Sequence, residues 1–181
     1  VMGWSEGIIS PNPPVNVPTG GPGGANDAYL ENASDGGSLS GSRMVMFNTT
    51  QWTGNYNGFE ASAFITAQMA NLGANLLFMR VAFEGANGAR YASTDWSLLD
   101  TDGMWHPMKF EISDSTMTLV GGSGSLAETL DNVVTLRILS AFSPSWHGDQ
   151  VLALLGVDNI TFSPGLIFYG DFESGDTSNW Q

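Results

Sequence analysis

Residues 59–69 constrain the fold more tightly than any other stretch of the chain. Phe59, Ala61, Ala63, Ile65, Ala67 and Met69 alternate there with Glu60, Ser62, Thr66 and Gln68. Side chains two apart share a face of an extended strand, so this pattern is that of a half-buried β-strand. The same reading places strands at residues 28–32, 42–47, 76–83, 90–98, 104–112, 116–120, 133–141 and 151–162. Turn signals separate them: Asp35-Gly36-Gly37, the hairpin-like Asn71-Leu72-Gly73-Ala74-Asn75, and Asp100-Thr101-Asp102-Gly103. A single helical turn is expected at residues 126–130. About ten short strands with no long helical period predict an all-β chain, an antiparallel two-sheet β-sandwich.

A chain of 181 residues is long enough for one such domain. Its charged content of 13% is about half the usual ~25%, and 23 glycines stand in the sequence. The polar surface is therefore built from Ser, Thr, Asn and Gly. Eighteen acidic against five basic residues give a net charge of −13. That excludes a nucleic-acid role, because phosphate binding needs clustered Lys and Arg. There is no cysteine, hence no disulfide or thiolate chemistry. No apolar run approaches the ~18 residues of a membrane span. The chain begins at Val1 and reads as a processed, exported product, which points to an extracellular or cell-surface setting.

Both ends differ from the middle. Residues 1–24 contain Pro11, Pro13, Pro14, Pro18 and Pro22, so they form an extended arm that is strand only in pieces, anchored by Trp4, Ile8 and Ile9. Residues 25–162 form the sandwich. Residues 163–181 form a strand and tail: after Ser163-Pro164-Gly165 come Leu166, Ile167, Phe168 and Tyr169, then Gly170-Asp171-Phe172-Glu173, a polar turn and Trp180. This last run resembles the opening of a jelly-roll module as found in bacterial carbohydrate-binding modules. The run Phe172-Glu173-Ser174-Gly175-Asp176-Thr177-Ser178 is also similar to the ends of many exported bacterial proteins. Residues 20–30, 52–56, 76–80, 103–105 and 157–162 together resemble jelly rolls of the galactose-binding and laminin-like kind.

The resemblance implies a jelly-roll-like, non-catalytic extracellular module that binds glycans or proteins. It also implies a structural Ca²⁺ as the one cofactor to look for. Asp27, Asp158 and Glu173 stand where such modules place oxygen ligands. Two functional readings follow. In the first, the opening strand at the far end (Leu166, Ile167, Phe168, Tyr169, Phe172 and Trp180) fills the edge of a second copy against its arm residues Trp4, Ile8 and Ile9. Copies then join head to tail as a homopolymeric filament or surface layer. Pairing of the tail with its own sheet accounts for the same features. In the alternative, the chain binds polysaccharide on loop aromatics, with Trp52, Tyr56, Trp96 and Trp146 as the platform.

Other constellations are thin. No Gly-X-Ser-X-Gly elbow and no His-Glu-X-X-His motif occurs, and His106 and His147 are far apart. Catalysis is not expected. Arg80 and Arg137 lie inside apolar strands, where a buried guanidinium needs a partner; ion pairs with acids such as Glu60 or Glu84 are the default expectation.

Overall fold

The computed structural model describes residues 3–7, 10–56 and 63–163. Among them run β1 (Trp4–Ser5), β2 (Val15–Val17), β3 (Tyr29–Asp35), β4 (Val45–Asn48), β5 (Ala63–Asn71), β6 (Leu77–Gly85), β7 (Arg90–Ser93), β8 (Ser97–Leu99), β9 (Trp105–Ile112), β10 (Met117–Gly121), α1 (Leu126–Leu130), β11 (Val133–Ser140) and β12 (Leu152–Ser163). The strands form two antiparallel sheets. One has the order β1-β4-β11-β6-β7-β10, with β8 also on β6; the other has the order β2-β3-β12-β5-β9. The proline-rich segment contributes an edge strand to each, β1 on β4 and β2 on β3. Both are short, as expected where prolines interrupt pairing.

Alternation sets which faces meet. Ile65, Ala67 and Met69 of β5, Met79, Val81 and Phe83 of β6, and Leu136 and Ile138 of β11 are buried between the sheets. Met44, Met46, Met69, Met79, Met108 and Met117 share that core, where flexible thioethers fill gaps between two twisted sheets. Helix α1 closes one margin with Leu126 and Leu130. Its start is a capping box: Glu128 N donates to Ser125 Oγ at 3.2 Å, and Ser125 N donates to Glu128 Oε2 at 2.8 Å.

Two expectations need correction. The turn at residues 71–75 is not a hairpin, because β5 and β6 belong to different sheets. The buried Asn71 makes the crossing: its Nδ2 donates to Asn75 O at 2.8 Å and to Leu99 O at 3.2 Å, while its Oδ1 accepts from Gly73 N at 3.1 Å. The segment at residues 90–98 is not one strand but two, β7 and β8, which pair with successive stretches of β6. Arg80 stands at the break. It is 1% exposed, and its guanidinium donates to four backbone carbonyls: Ala141 O at 2.7 Å, Ser93 O, Thr94 O at 2.8 Å and Phe142 O at 2.8 Å. Its partners are therefore carbonyls rather than a carboxylate. Burial lowers its pKa, and the charges of Asp95 and Asp149 oppose that shift.

Part of the outer face of the seven-stranded sheet is also covered. Ala82, Ala92 and Leu139 lie under Ala141 and Trp146 of the loop that follows β11. The Trp146 ring lies 3.9 Å from the Arg137 guanidinium and 5.1 Å from that of Arg90. Arg137 Nη1 donates to Trp146 O at 3.0 Å, and Arg43 Nη1 donates to Gly148 O at 2.7 Å, so two cations tie the loop down. Burial pushes the Arg137 pKa down to about 10. Glu84 bonds to Arg90 instead, at 2.8 Å. Gly148 seats the loop against the chain entering β4: a Cβ there would stand 2.1 Å from Met44 O.

Candidate functional site

A cleft of about 550 Å³ opens where β1 and the β4 loop meet the β2–β3 edge and the middle of β12. Three local structures build its walls. The first is the loop after β4. Asn48 is fully buried, and its Oδ1 accepts from the backbone N–H groups of Thr50, Gln51 and Trp52 at 2.9, 2.9 and 3.2 Å. One side-chain oxygen thus organises three consecutive amides, as Asn does in turns. Tyr56 Oη donates to Trp52 O at 3.2 Å and supports the far side. Together they present Gln51 and the half-buried Trp52 to the cleft.

The second wall is a bulge in β12. Its register against β5 shifts between Asp158 and Thr161, so one extra residue is accommodated. Asn159 takes it up at φ 49°, the one non-glycine residue with positive φ among the described residues. Asn tolerates this left-handed conformation better than most residues, and such outliers cluster at ligand sites. The bulge turns Asp158 and Asn159 toward the cleft just beyond Val157, the last residue of β12 paired with β3.

The third wall is Tyr29 with Asn16. Tyr29 packs edge-on against Trp105, centroids 5.2 Å apart, and its hydroxyl donates to Glu31 Oε2 at 3.3 Å. Burial, then the Glu31 charge, raises the Tyr29 pKa, so the phenol stays neutral and keeps its donor. Among the described residues, the lining therefore holds aromatic surface (Trp52, Tyr29), three side-chain amides (Asn16, Gln51, Asn159) and one carboxylate, Asp158, with no Lys or Arg. Amides both donate and accept, the carboxylate accepts, and ring faces cover apolar patches. A neutral polyhydroxylated molecule matches this set; an anion does not.

The structure disperses the remaining sequence candidates. Tyr56 is 8% exposed and packs edge-on against Phe83 and Phe162, so it is a core residue. Trp146 is 5% exposed under its loop and shows no ring face to solvent. Trp96 is exposed and is not part of the cleft lining; it packs beside Phe78. Trp4, 7% exposed, floors the cleft and belongs to the core of its own chain. Ile8, Ile9, Leu166, Ile167, Phe168, Tyr169, Phe172, Glu173 and Trp180 lie outside the described residues. Asp27 Oδ2 accepts from Gly23 N at 2.7 Å and closes its own glycine turn, whereas Asp158 lies on the cleft wall. No group of three or more His, Cys, Asp or Glu suited to a metal ion occurs among the described residues. His106 Nε2 pairs with Asp102 Oδ2 at 2.9 Å on the surface, and His147 is exposed on the covering loop. Sequence reading missed Tyr29, Asn16, Gln51 and Asn159. The Asp158-Asn159 pair inside a long strand was the available signal, since both residue types are rare in strand interiors.

No protein-family model matches the chain, and no curated protein does. Solved structures do. The chain is similar to an exo-β-agarase with a TM-score of 0.63 and 11% identity, over 95% of this chain and 24% of that one. It is also similar to the family 11 carbohydrate-binding module of a cellulosomal cellulase from Clostridium thermocellum, with a TM-score of 0.55 and 14% identity, over 94% and 92% of the two chains. The same family's module in complex with a β-1,3-1,4-mixed-linked tetrasaccharide gives 0.53 and 14%, over 88% of each. The likeness establishes the fold. It is a two-sheet, jelly-roll-like β-sandwich shared with carbohydrate-binding modules. The chain spans about a quarter of the agarase's length and nearly all of the module's.

Proposed function

We propose that this chain is a non-catalytic, extracellular carbohydrate-binding module that holds a neutral glycan in the cleft between Trp52 and Tyr29. The observation that carries the reading is the lining: among the described residues, two aromatic walls and three amides around a carboxylate, without a cation. Sugar rings offer apolar C–H faces and a rim of hydroxyls, which stacking and amide bonding recognise together. The fold shared with glycan-binding modules supports the same reading. Glycosidic hydrolysis usually needs two carboxylates facing across the substrate, and the described lining supplies one, Asp158. Head-to-tail assembly draws no such support, since Trp4 is spent within its own core and β1 pairs with its own β4.

Affinity electrophoresis through gels containing mixed-linkage β-1,3-1,4-glucan, or another soluble neutral polysaccharide, tests it. The wild-type protein is expected to be retarded, and Trp52→Ala to migrate as in an empty gel. Equal retardation of both proteins would sink the assignment of this cleft.

A further inference from the structure

The cleft leaves a second feature unexplained, on the outer face of the seven-stranded sheet. Phe142 is 61% exposed and Trp96 is 41% exposed, beside the half-buried Phe78. Phe78 packs edge-on against both, with centroids 5.1 Å from Trp96 and 5.2 Å from Phe142. Trp96 and Phe142 lie within 29° of parallel, centroids 6.4 Å apart. We propose that these three rings form a second carbohydrate-binding facet, which takes the apolar face of a neutral polysaccharide chain in an insoluble matrix.

The facet is held rigidly although its rings meet water. Arg80 lies beneath it, and its four carbonyl partners stand beside two of the rings: Ser93 and Thr94 at the end of β7 and just before Trp96, and Ala141 and Phe142 itself. Phe142 N also donates to Asp149 Oδ2 at 2.8 Å, and Ala141 N donates to Phe78 O at 2.9 Å. Thr94 N donates to Thr116 O at 2.8 Å. Desolvating a guanidinium to fix two exposed loops is costly, and the core does not require those rings to face outward. Pre-set aromatic surfaces lose little freedom on binding.

Size and charge select the occupant. Even with the half-exposed Leu76 and Leu98 alongside, the facet offers on the order of 400 Å² of apolar surface, about half of the ~800 Å² a stable protein partner covers. Asp95 and Asp149 lie close enough to act on the Arg80 charge. They provide acceptors for sugar hydroxyls and repel acidic glycans. The facet shares no residue with the cleft, so its reading stands or falls by itself.

The test uses the full chain in pull-downs on agarose beads, microcrystalline cellulose and insoluble mixed-linkage glucan, with soluble mixed-linkage glucan titrated in parallel. Trp96→Ala and Phe142→Ala are expected to keep the wild-type unfolding midpoint and soluble-glucan binding. Their partition onto the retaining matrix should fall by about tenfold or more, the effect of losing one well-stacked ring. Trp52→Ala should do the reverse, which separates this facet from the cleft. Retention unchanged in both ring variants overturns the proposal, and so does a wild-type protein that no matrix retains. A dimer on size-exclusion that Trp96→Ala dissolves would make a second copy the occupant and overturn it as well.

Discussion

Glu6 tests how the N-terminal segment is fastened to the sandwich. Its carboxyl is half-buried just beyond β1, and Ser10 Oγ donates to its Oε2 at 2.5 Å. Its Oε1 and the Oδ1 of Asn32 are both buried without a hydrogen-bond partner, while Asn32 Nδ2 donates to the Met44 sulfur at 3.4 Å. Two orphaned acceptors in one place are satisfied if the carboxyl keeps its proton and donates it. Burial pushes the Glu6 pKa up from 4.5 to about 7; the Asp35 charge adds to this, and the bond from Ser10 and the neighbouring Asn32 amide oppose it. The folded chain therefore retains a proton that the unfolded chain releases between pH 4.5 and about 7. The resulting stabilisation is complete below pH 4.5 and disappears as pH rises through about 7. At ~1.4 kcal/mol per pH unit the ceiling is about 3 kcal/mol. Solvent reaching a half-exposed carboxyl reduces this to ~1–2 kcal/mol, or roughly 2–8 °C in melting temperature for a chain of this length.

Glu6→Gln removes the titration and keeps a donor for Asn32. Denaturant unfolding of both proteins at pH 5 and pH 8 isolates the contribution, because every other titrating group cancels in the difference. Wild type should lose ~1–2 kcal/mol more than the variant between the two pH values. Parallel losses would show that Glu6 is solvated and that the arm is not latched through it.

Three further outcomes follow from the packing. Arg80→Met strands four carbonyls and should cost about 3 kcal/mol or more in urea unfolding; a loss below ~1 kcal/mol would mean water takes the guanidinium's place. Gly156→Ala puts a Cβ 2.9 Å from Trp105 Cη2, so ~1–3 kcal/mol should be lost; if Trp105→Ala does not relieve that loss, the clash is not its cause. Ser125→Ala removes the cap of α1 and should cost ~1 kcal/mol, a change that calorimetry resolves; no shift in melting temperature would mean that the capping box adds nothing to the packing of Leu126 and Leu130.

Much of the architecture was legible in residue order. Alternation in β5 marks which side chains face inward, and Leu126–Leu130 forms the helical turn expected of it. Local chemistry could not say that the turn after Asn71 changes sheets, because a tight polar turn reads alike whether the next strand pairs back or crosses over. Nor could it split β7 from β8, since the break is made by Arg80, which reaches across from another strand.

The same division governs the candidate sites. Sequence alone determined that the chain would be an acidic two-sheet sandwich with several tryptophans near its loops, because strand periodicity and charge are local properties. Only tertiary structure decided the fate of each aromatic. Trp146 is sealed beneath its loop by Arg137 and Arg90. Tyr56 joins the core, Trp52 walls a cleft, and Trp96 stays in water. The physical reason is that a period of two assigns a residue to one face of a sheet, whereas what later covers that face comes from segments far away in the chain.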